Sequence, residues 1–483
     1  MKSYKAFPFL TLLACLSLCS CYHEFSTGTG GGGGGGGTGT ALVNVTITST
    51  PSSTFSFVAL NLHIGVLNLI TSSGTSTPFL SGALPEGDFV RMQTDSVYLG
   101  HGTVAATSYT KLQVQFGPPL SSYFYNSTNS TLLGCAVGRV CMIPSTVSGF
   151  GASTVTVPIT FTPAANANTG IRINFDLSKA VTSAGGMTFD FTQTGAITVS
   201  PLPPTASSQT SGLDTIDNFT GMISAKGTNT IDVFSFSSDT RTITIPSTAE
   251  FDDPFSPSIC PPPANFGCLA VNQNVSIDGI INSDGTMTAT EIEFLDPAPL
   301  TEELEGVITT PIANNQFQMV AINGMGSGSG DVTVGTLVTV NLNNASTYLV
   351  DPKNLGISTN LLGFQSSTDL VMGQTVMLKG GTVDFTNNSY SNYTRTLLRY
   401  SSIGGTVQTP GGAIFTLSGV SPFLVNLVSN SVVVNTFPNT AYDNISNFSG
   451  LVGGTTNASV RGLYLNPNSG AAQPLLAAKV RAH

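Results

Sequence analysis

Apolar and polar residues alternate with a period of two along much of this chain. Val155, Val157, Ile159 and Phe161 alternate with polar or small residues, as do Ile171, Ile173, Phe175 and Leu177. The same period recurs at Leu112, Val114, Phe116 and at Val338, Val340, Leu342. Side chains of a strand point by turns to its two faces, so this period, carried by Val, Ile, Thr and Phe and bounded by turn residues, marks half-buried strands. Helical spacing is nearly missing; Leu300 to Leu304 suits a single turn. The pattern predicts an all-β protein.

Punctuation divides the pattern. The run Ser200-Pro-Leu-Pro-Pro-Thr-Ala-Ser-Ser-Gln reads as a linker over about 200–213. The alternating runs before it, 41–199, suit a β-sandwich of two antiparallel sheets. After it a repeat emerges: Phe219-Thr-Gly-Met-Ile, Leu304-Glu-Gly-Val-Ile and Ile403-Gly-Gly-Thr-Val place glycines at 221, 306 and 405. A second landmark is a strand ending in glycine: Val275-Ser-Ile-Asp-Gly279, Val376-Met-Leu-Lys-Gly380 and Ser459-Val-Arg-Gly462. A short mixed strand closes each unit, at Ala289 to Phe294, Thr394 to Arg399 and Ala477 to Arg481. Glycine at such fixed places suits a bulge or bend where a strand turns a barrel corner. About five strands in each of 214–299, 300–401 and 402–483 fit small closed barrels of the OB type. The expected architecture is a β-sandwich followed by three tandem OB-like β-barrels in a row.

The first forty residues have a different character. Lys2 and Lys5 precede an apolar run from Ala6 to Leu18, then Leu18-Cys19-Ser20-Cys21, then eight glycines from Gly30 to Gly37. A basic start and an apolar core shorter than the roughly 20 residues needed to span a bilayer describe a removable export signal. Leu18 and Ser20 ahead of Cys21 resemble the bacterial lipoprotein signal. That resemblance implies a signal over 1–20, diacylglycerol on the Cys21 sulfur and an acyl chain on the new N-terminus, hence a palmitate-bearing membrane anchor. Cys19 is a rival site, disfavoured by bulky Leu18, and an ordinary secretory signal is the plainer alternative. Several acyl chains hold stably where one holds marginally. Residues 21–40 read as a Gly-rich tether, a random coil of about 25 Å.

The repeats resemble an OB-like domain of unknown function that occurs in tandem in bacterial lipoproteins. The first unit matches best, through the hairpin turn of Asn282-Ser-Asp-Gly-Thr286; the second carries an insertion and the third lacks the Asp-Gly turn. Residues 41–199 resemble a sandwich-like domain of unknown function from similar lipoproteins, through Tyr109-Thr-Lys-Leu-Gln-Val and Ile173-Asn-Phe-Asp-Leu-Ser. Both resemblances imply architecture and no established activity.

Composition narrows the partners. Charged residues are 9% of the chain, against roughly 25% in ordinary soluble proteins. The formal net charge is −10, becoming −12 once Lys2 and Lys5 leave with the signal. No Lys/Arg cluster exists, which argues against nucleic acid and against electrostatic docking on anionic lipid. A surface of hydroxyls and amides suits carbohydrate or an envelope polymer, and is also simply soluble. Beyond Cys15, Cys19 and Cys21, four cysteines form two local pairs, Cys135/Cys141 and Cys260/Cys268. In an oxidising compartment each pair would close a short loop. The alternative, a four-Cys metal site, lacks ligand-like spacing.

Candidate chemistry is sparse. His63, in Leu60-Asn-Leu-His-Ile-Gly-Val, falls on the polar side of a predicted strand with no G-x-S-x-G elbow beside it. Glycoside hydrolysis needs two carboxylates across the bond. Asp252/Asp253 and Glu302, Glu303, Glu305 are the available sets, and both read as solvated turns or a helix start. Asn282 and Asp284 could offer calcium oxygens, but Asp284-Gly285 reads as a hairpin turn and no repeating calcium pattern exists. Tyr390, Tyr393 and Tyr400 form the best aromatic cluster, read as cross-strand pairing; Trp is absent, which weakens a sugar-stacking role. The Asn-x-Ser/Thr sites at Asn126, Asn129, Asn344 and Asn447 follow from composition.

No catalytic residue, metal ligand or cofactor is assigned. The expectation is a non-enzymatic, lipid-anchored envelope protein with a structural, adhesive or binding role toward polysaccharide or an envelope protein. The alternative is an accessory sugar-binding or hydrolase component acting on extracellular polysaccharide; a further one is an assembly partner capping another protein's sheet edges.

Overall fold

The structure is a computed structural model that describes residues 39–483, apart from internal segments at 82–86, 152, 184–185, 203–211, 236–239, 253–258, 262, 283–285, 296–301, 326–331, 333, 351–354, 356, 358–362, 425–429 and 468–473. The export signal, Cys21, the glycine run, Asp253 and Asp284 lie outside the described residues, as does most of the expected linker.

Strand Thr40–Thr50 organises the N-terminal domain. It pairs in parallel with Asn168–Asp176 and antiparallel with Val97–Ala105, and Ile197–Leu202 completes the four-stranded sheet. The second sheet runs in the order Ser153–Phe161, Tyr109–Phe116, Ile64–Thr71, Ser76–Ser81. Alternation decides what lies between them. Val43, Val45, Ile47, Ile171, Ile173 and Phe175 face Leu67, Leu69, Leu112, Val114, Val155 and Val157 in one core. A ribbon of Ser56–Ala59, Tyr123–Tyr125 and Val140–Met142 stands beside the sandwich, and its Val58, Ala59 and Tyr123 enter the core of the third barrel.

The first barrel consists of Gly212–Lys226, Thr230–Ser235, Thr240–Thr244, Asn274–Asn282 and Met287–Leu295. The first three strands meander, the fourth returns beside the first, and the fifth pairs antiparallel with the fourth. Parallel pairing of Ile243 with Met287 closes the ring. That order and that parallel closure are the five-stranded OB plan. The second barrel repeats it with Glu302–Ile308, Gln316–Met325, Leu337–Asn341, Thr375–Asp384 and Ser389–Ser391, closed in parallel at Thr339 and Ser389. The third uses Ile414–Ser418, Ser431–Asp443, Asn457–Tyr464 and Leu475–Ala482, closed in parallel at Val434 and Leu475. Its first strand is the far half of Arg395–Gly411. The near half, Arg395 to Arg399, pairs with the second barrel, whereas Tyr400 to Thr406 pair with the third. One strand therefore joins two barrels without a linker. The all-β class predicted by the alternation is the class observed.

The landmark glycines sit where the ladder slips. Pairing shifts register between Asp278 and Gly279 and between Arg461 and Gly462. A Cβ on Gly279 would lie 2.6 Å from the Thr288 carbonyl oxygen, and one on Gly462 would lie 2.2 Å from that of Leu476. Each bulge presses backbone on backbone, and only glycine fits.

Besides following one another along the chain, the barrels pack on the sandwich. Tyr98 and Leu202 of the sandwich enter the core of the first barrel, and the ribbon enters that of the third. Both barrels pack on the sandwich because its outer strands offer residues that complete their cores.

Candidate functional site

The carboxylates flagged in the sequence meet at the seam between the first and second barrels. Strand Glu250–Asp252 runs parallel to Met287–Leu295 and sets Asp252 opposite Glu293. Glu302, Glu303 and Glu305 belong to a strand, Glu302–Ile308, and not to the solvated turn or helix start expected of them. Leu304 and Ile308 point into the second barrel's core. Alternation turns Glu303 and Glu305 to the other face, where both are buried.

A buried charge needs a partner, and the second barrel supplies two. Arg399 Nη2 lies 2.7 Å from Glu293 Oε2, its Nη1 is 3.8 Å from Asp252 Oδ2, and its Nε is 3.9 Å from Glu305 Oε1. Lys379 Nζ lies 3.7 Å from Glu303 Oε1. Four of the flagged or neighbouring carboxylates are thus held by one guanidinium and one ammonium.

A second junction joins the sandwich to the first and third barrels. Arg461 reaches Asp95 of the sandwich at 3.7 Å and Asp278 of the first barrel at 3.8 Å, with its guanidinium 5.4 Å from the Tyr400 ring centroid. Arg481, almost fully buried, places Nε 2.7 Å from Asp443 Oδ2. It donates from Nη1 to the carbonyls of Met92 (2.9 Å) and Asp95 (3.1 Å), and from Nη2 to Ser96 Oγ (2.8 Å). Arg172 of the sandwich adds a 3.4 Å contact to Asp443. Burial works against the Asp443 carboxylate, but Arg481, Arg172 and Lys479 outweigh it and hold the group well below the usual carboxylate range. Arg241 of the first barrel donates to Asn44 Oδ1 at 2.9 Å and lies 4.4 Å over the Tyr98 ring. Burial pulls Arg241 down to about 10, so it stays charged at neutral pH.

No local motif marks these arginines, but the repeats carry a charge signal at one shared position. The residue before each second-landmark glycine is Asp278, Lys379 and Arg461, and opposite them in the ladder stand Glu291, Arg395 and Lys479. One structural position is acidic in the first barrel and basic in the other two. Repeats with opposite charge at equivalent places can pair with one another.

The remaining candidates are dispersed. His63 sits at the break between Asn61–Leu62 and Ile64–Thr71, against Gly117, where an added Cβ would lie 2.9 Å from its Cγ. His483 Nε2 lies 2.8 Å from Ser459 Oγ, but Ser459 is fully buried, so that hydroxyl faces no solvent. Tyr390 and Tyr393 stack at 6.0 Å and are fully buried in the second barrel's core. Tyr390 donates its hydroxyl to Leu378 O and accepts from Gly381 N, and burial pushes Tyr393 up to about 12. Tyr400 is half-buried beneath Arg461. Asn282 ends strand Asn274–Asn282. Among the described residues, no group of three or more His, Cys, Asp or Glu is placed to hold a metal ion. Both cysteine pairs are disulfides, Cys135–Cys141 and Cys260–Cys268. Asn126 steadies the first loop by donating to the carbonyls of Ser130 and Cys135.

No curated protein sequence matches the chain. A solved structure, MbnP from Methylosinus trichosporium, is similar at 11% identity over 30% of this chain and 78% of that one, with a TM-score of 0.19. Residues 220–293 match a family described as "Domain of unknown function (DUF5666)", and those residues cover most of the first barrel.

Proposed function

We propose that this protein is a non-enzymatic, lipid-anchored component of a bacterial cell envelope, held by lipid on Cys21 behind a glycine-rich spacer. Its folded part is a firm structural or binding module. The observation that carries this reading is the position of Arg399 among Glu293, Asp252 and Glu305. Carboxylates that could have served as acid and base are engaged in joining domains. Ionic contacts among sandwich and barrels favour a body that holds its shape while its exterior meets a partner.

Two measurements test it. In an expressing bacterium, the Cys21→Ser variant should lose labelling by a clickable palmitate and move to the soluble fraction. Unchanged labelling would remove the anchor. Incubation of the purified protein with envelope and extracellular polysaccharides should release no reducing ends; sustained release would replace this reading with a hydrolase.

A further inference from the structure

The sandwich has two outer faces, and they differ. The face of the sheet built on Thr40–Thr50 is occupied: Asn44 accepts from Arg241, Thr50 meets the His483 ring, and Arg172 meets Asp443. The face of the other sheet is open to solvent, with Thr154, Thr156, Pro158, Lys111 and Gln115 exposed. None of its four strands, Ile64–Thr71, Ser76–Ser81, Tyr109–Phe116 and Ser153–Phe161, contains an Asp or Glu, and Lys111 is their single charge. The whole chain carries −10.

Register arranges this face in rows across the strands. Thr156, Gln113, Asn68 and Pro78 form one row, and Pro158, Lys111, Ile70 and Ser76 the next. The amides of the first row are linked: Asn68 Nδ2 donates to Gln113 Oε1 at 2.8 Å, and Gln113 Nε2 donates to Thr156 Oγ1 at 3.5 Å. Neighbouring strands stand about 4.8 Å apart, and successive outward residues about 6.8 Å apart. The result is an array of hydroxyls and hydrogen-bonded amides, with the apolar edges of Pro78, Ile70 and Pro158 among them.

We propose that this face binds a neutral polysaccharide, laid across the four strands. A sugar ring offers hydroxyls at its rim and C–H groups on its faces, and the array offers donors, acceptors and apolar edges in the same mixture. Amides already held by one another lose little freedom on binding, which lowers the entropic cost. An uncharged polymer matches a face without carboxylates, whereas a polyanion would be repelled by the chain's negative field. With no aromatic platform each contact is weak, so retention depends on many sugar units engaging together. The inference rests on reading the folded part as a binding module.

Affinity electrophoresis of the folded protein in gels containing galactomannan, xyloglucan, hydroxyethyl cellulose or alginate tests it. Retardation is expected in at least one of the three neutral polymers and not in alginate. The Asn68→Ala/Gln113→Ala/Thr156→Ala variant should bind at least tenfold more weakly, with its circular dichroism and melting temperature unchanged. Three results would overturn the proposal: no retardation by any neutral polymer, retardation by alginate alone, or full retention by the triple variant. Self-association abolished by those same substitutions would give the face to a second copy and also overturn it. A protein that is released from the membrane by Cys21→Ser yet fails to be retarded loses the sugar face alone, and the anchor stands.

Discussion

Arg399 Nη2 and Glu293 Oε2 lie 2.7 Å apart, joining the second barrel to the first across 106 residues of sequence. Both side chains are buried. Removal of one partner from a buried ion pair leaves the other charge uncompensated, typically at a cost of about 3–5 kcal/mol. Arg399 faces three carboxylates, so Arg399→Ala should destabilise at the upper end of that range. Arg399→Met combined with Glu293→Leu should recover part of the loss. Urea unfolding at pH 7 reads both, and an Arg399→Ala midpoint equal to that of the parent would contradict the clamp.

Asp443 gives the junction a dependence on acid. Its folded carboxyl is held below its unfolded value, with Arg481, Arg172 and Lys479 overcoming burial. A depressed carboxylate contributes stability that is present above its unfolded value, near 4, and is lost as the pH falls toward the folded value. The melting temperature should therefore decline from about pH 5 downward. Asp443→Asn should be less stable at pH 7 and should flatten that decline. An unchanged slope in the variant would exclude Asp443 as its source.

Gly462 leaves no room for a methyl group, because the Leu476 carbonyl oxygen would lie 2.2 Å from it. Gly462→Ala should cost about 1–3 kcal/mol, the usual range for overpacking. Gly411→Ala, where an added Cβ meets nothing within 4 Å, is the matching control and should be nearly neutral. Thermal melts of the two variants side by side decide the point.

The disulfides close loops with sequence separations of 6 and 8. Loop-closure entropy predicts about 2–3 kcal/mol for each. Cys260→Ala/Cys268→Ala should therefore melt below the parent, and added dithiothreitol should lower the parent's melting point while leaving the first barrel of that variant unaffected. Non-reducing peptide mapping should recover both pairs.

Strand positions, glycine bulges and cysteine pairs were legible because each is a local constraint. Alternation of Val155, Val157 and Phe161 fixes which side chains can face a core, whatever covers the other side. Gly279 and Gly462 announce backbone contact through the one residue type that permits it. The Cys260–Cys268 pair needs only a short loop and an oxidant. The fate of Glu303 and Glu305 was not legible. Their alternation with Leu304 shows that they leave the core, and a face that leaves one core is usually wet. Here the neighbouring barrel covers it.

The sequence by itself determined an all-β chain, its sandwich, its three glycine-marked barrels and its disulfide loops, since periodicity, turn chemistry and short loops act over a few residues. Only the tertiary structure decided that Arg399 meets Glu293, that Arg481 reaches Met92, and that one sandwich face is covered while the other, with Asn68, Gln113 and Thr156, stays open. Such pairings depend on which surfaces exclude water from one another. That is a property of domains packed in space, and no periodicity along the chain encodes it.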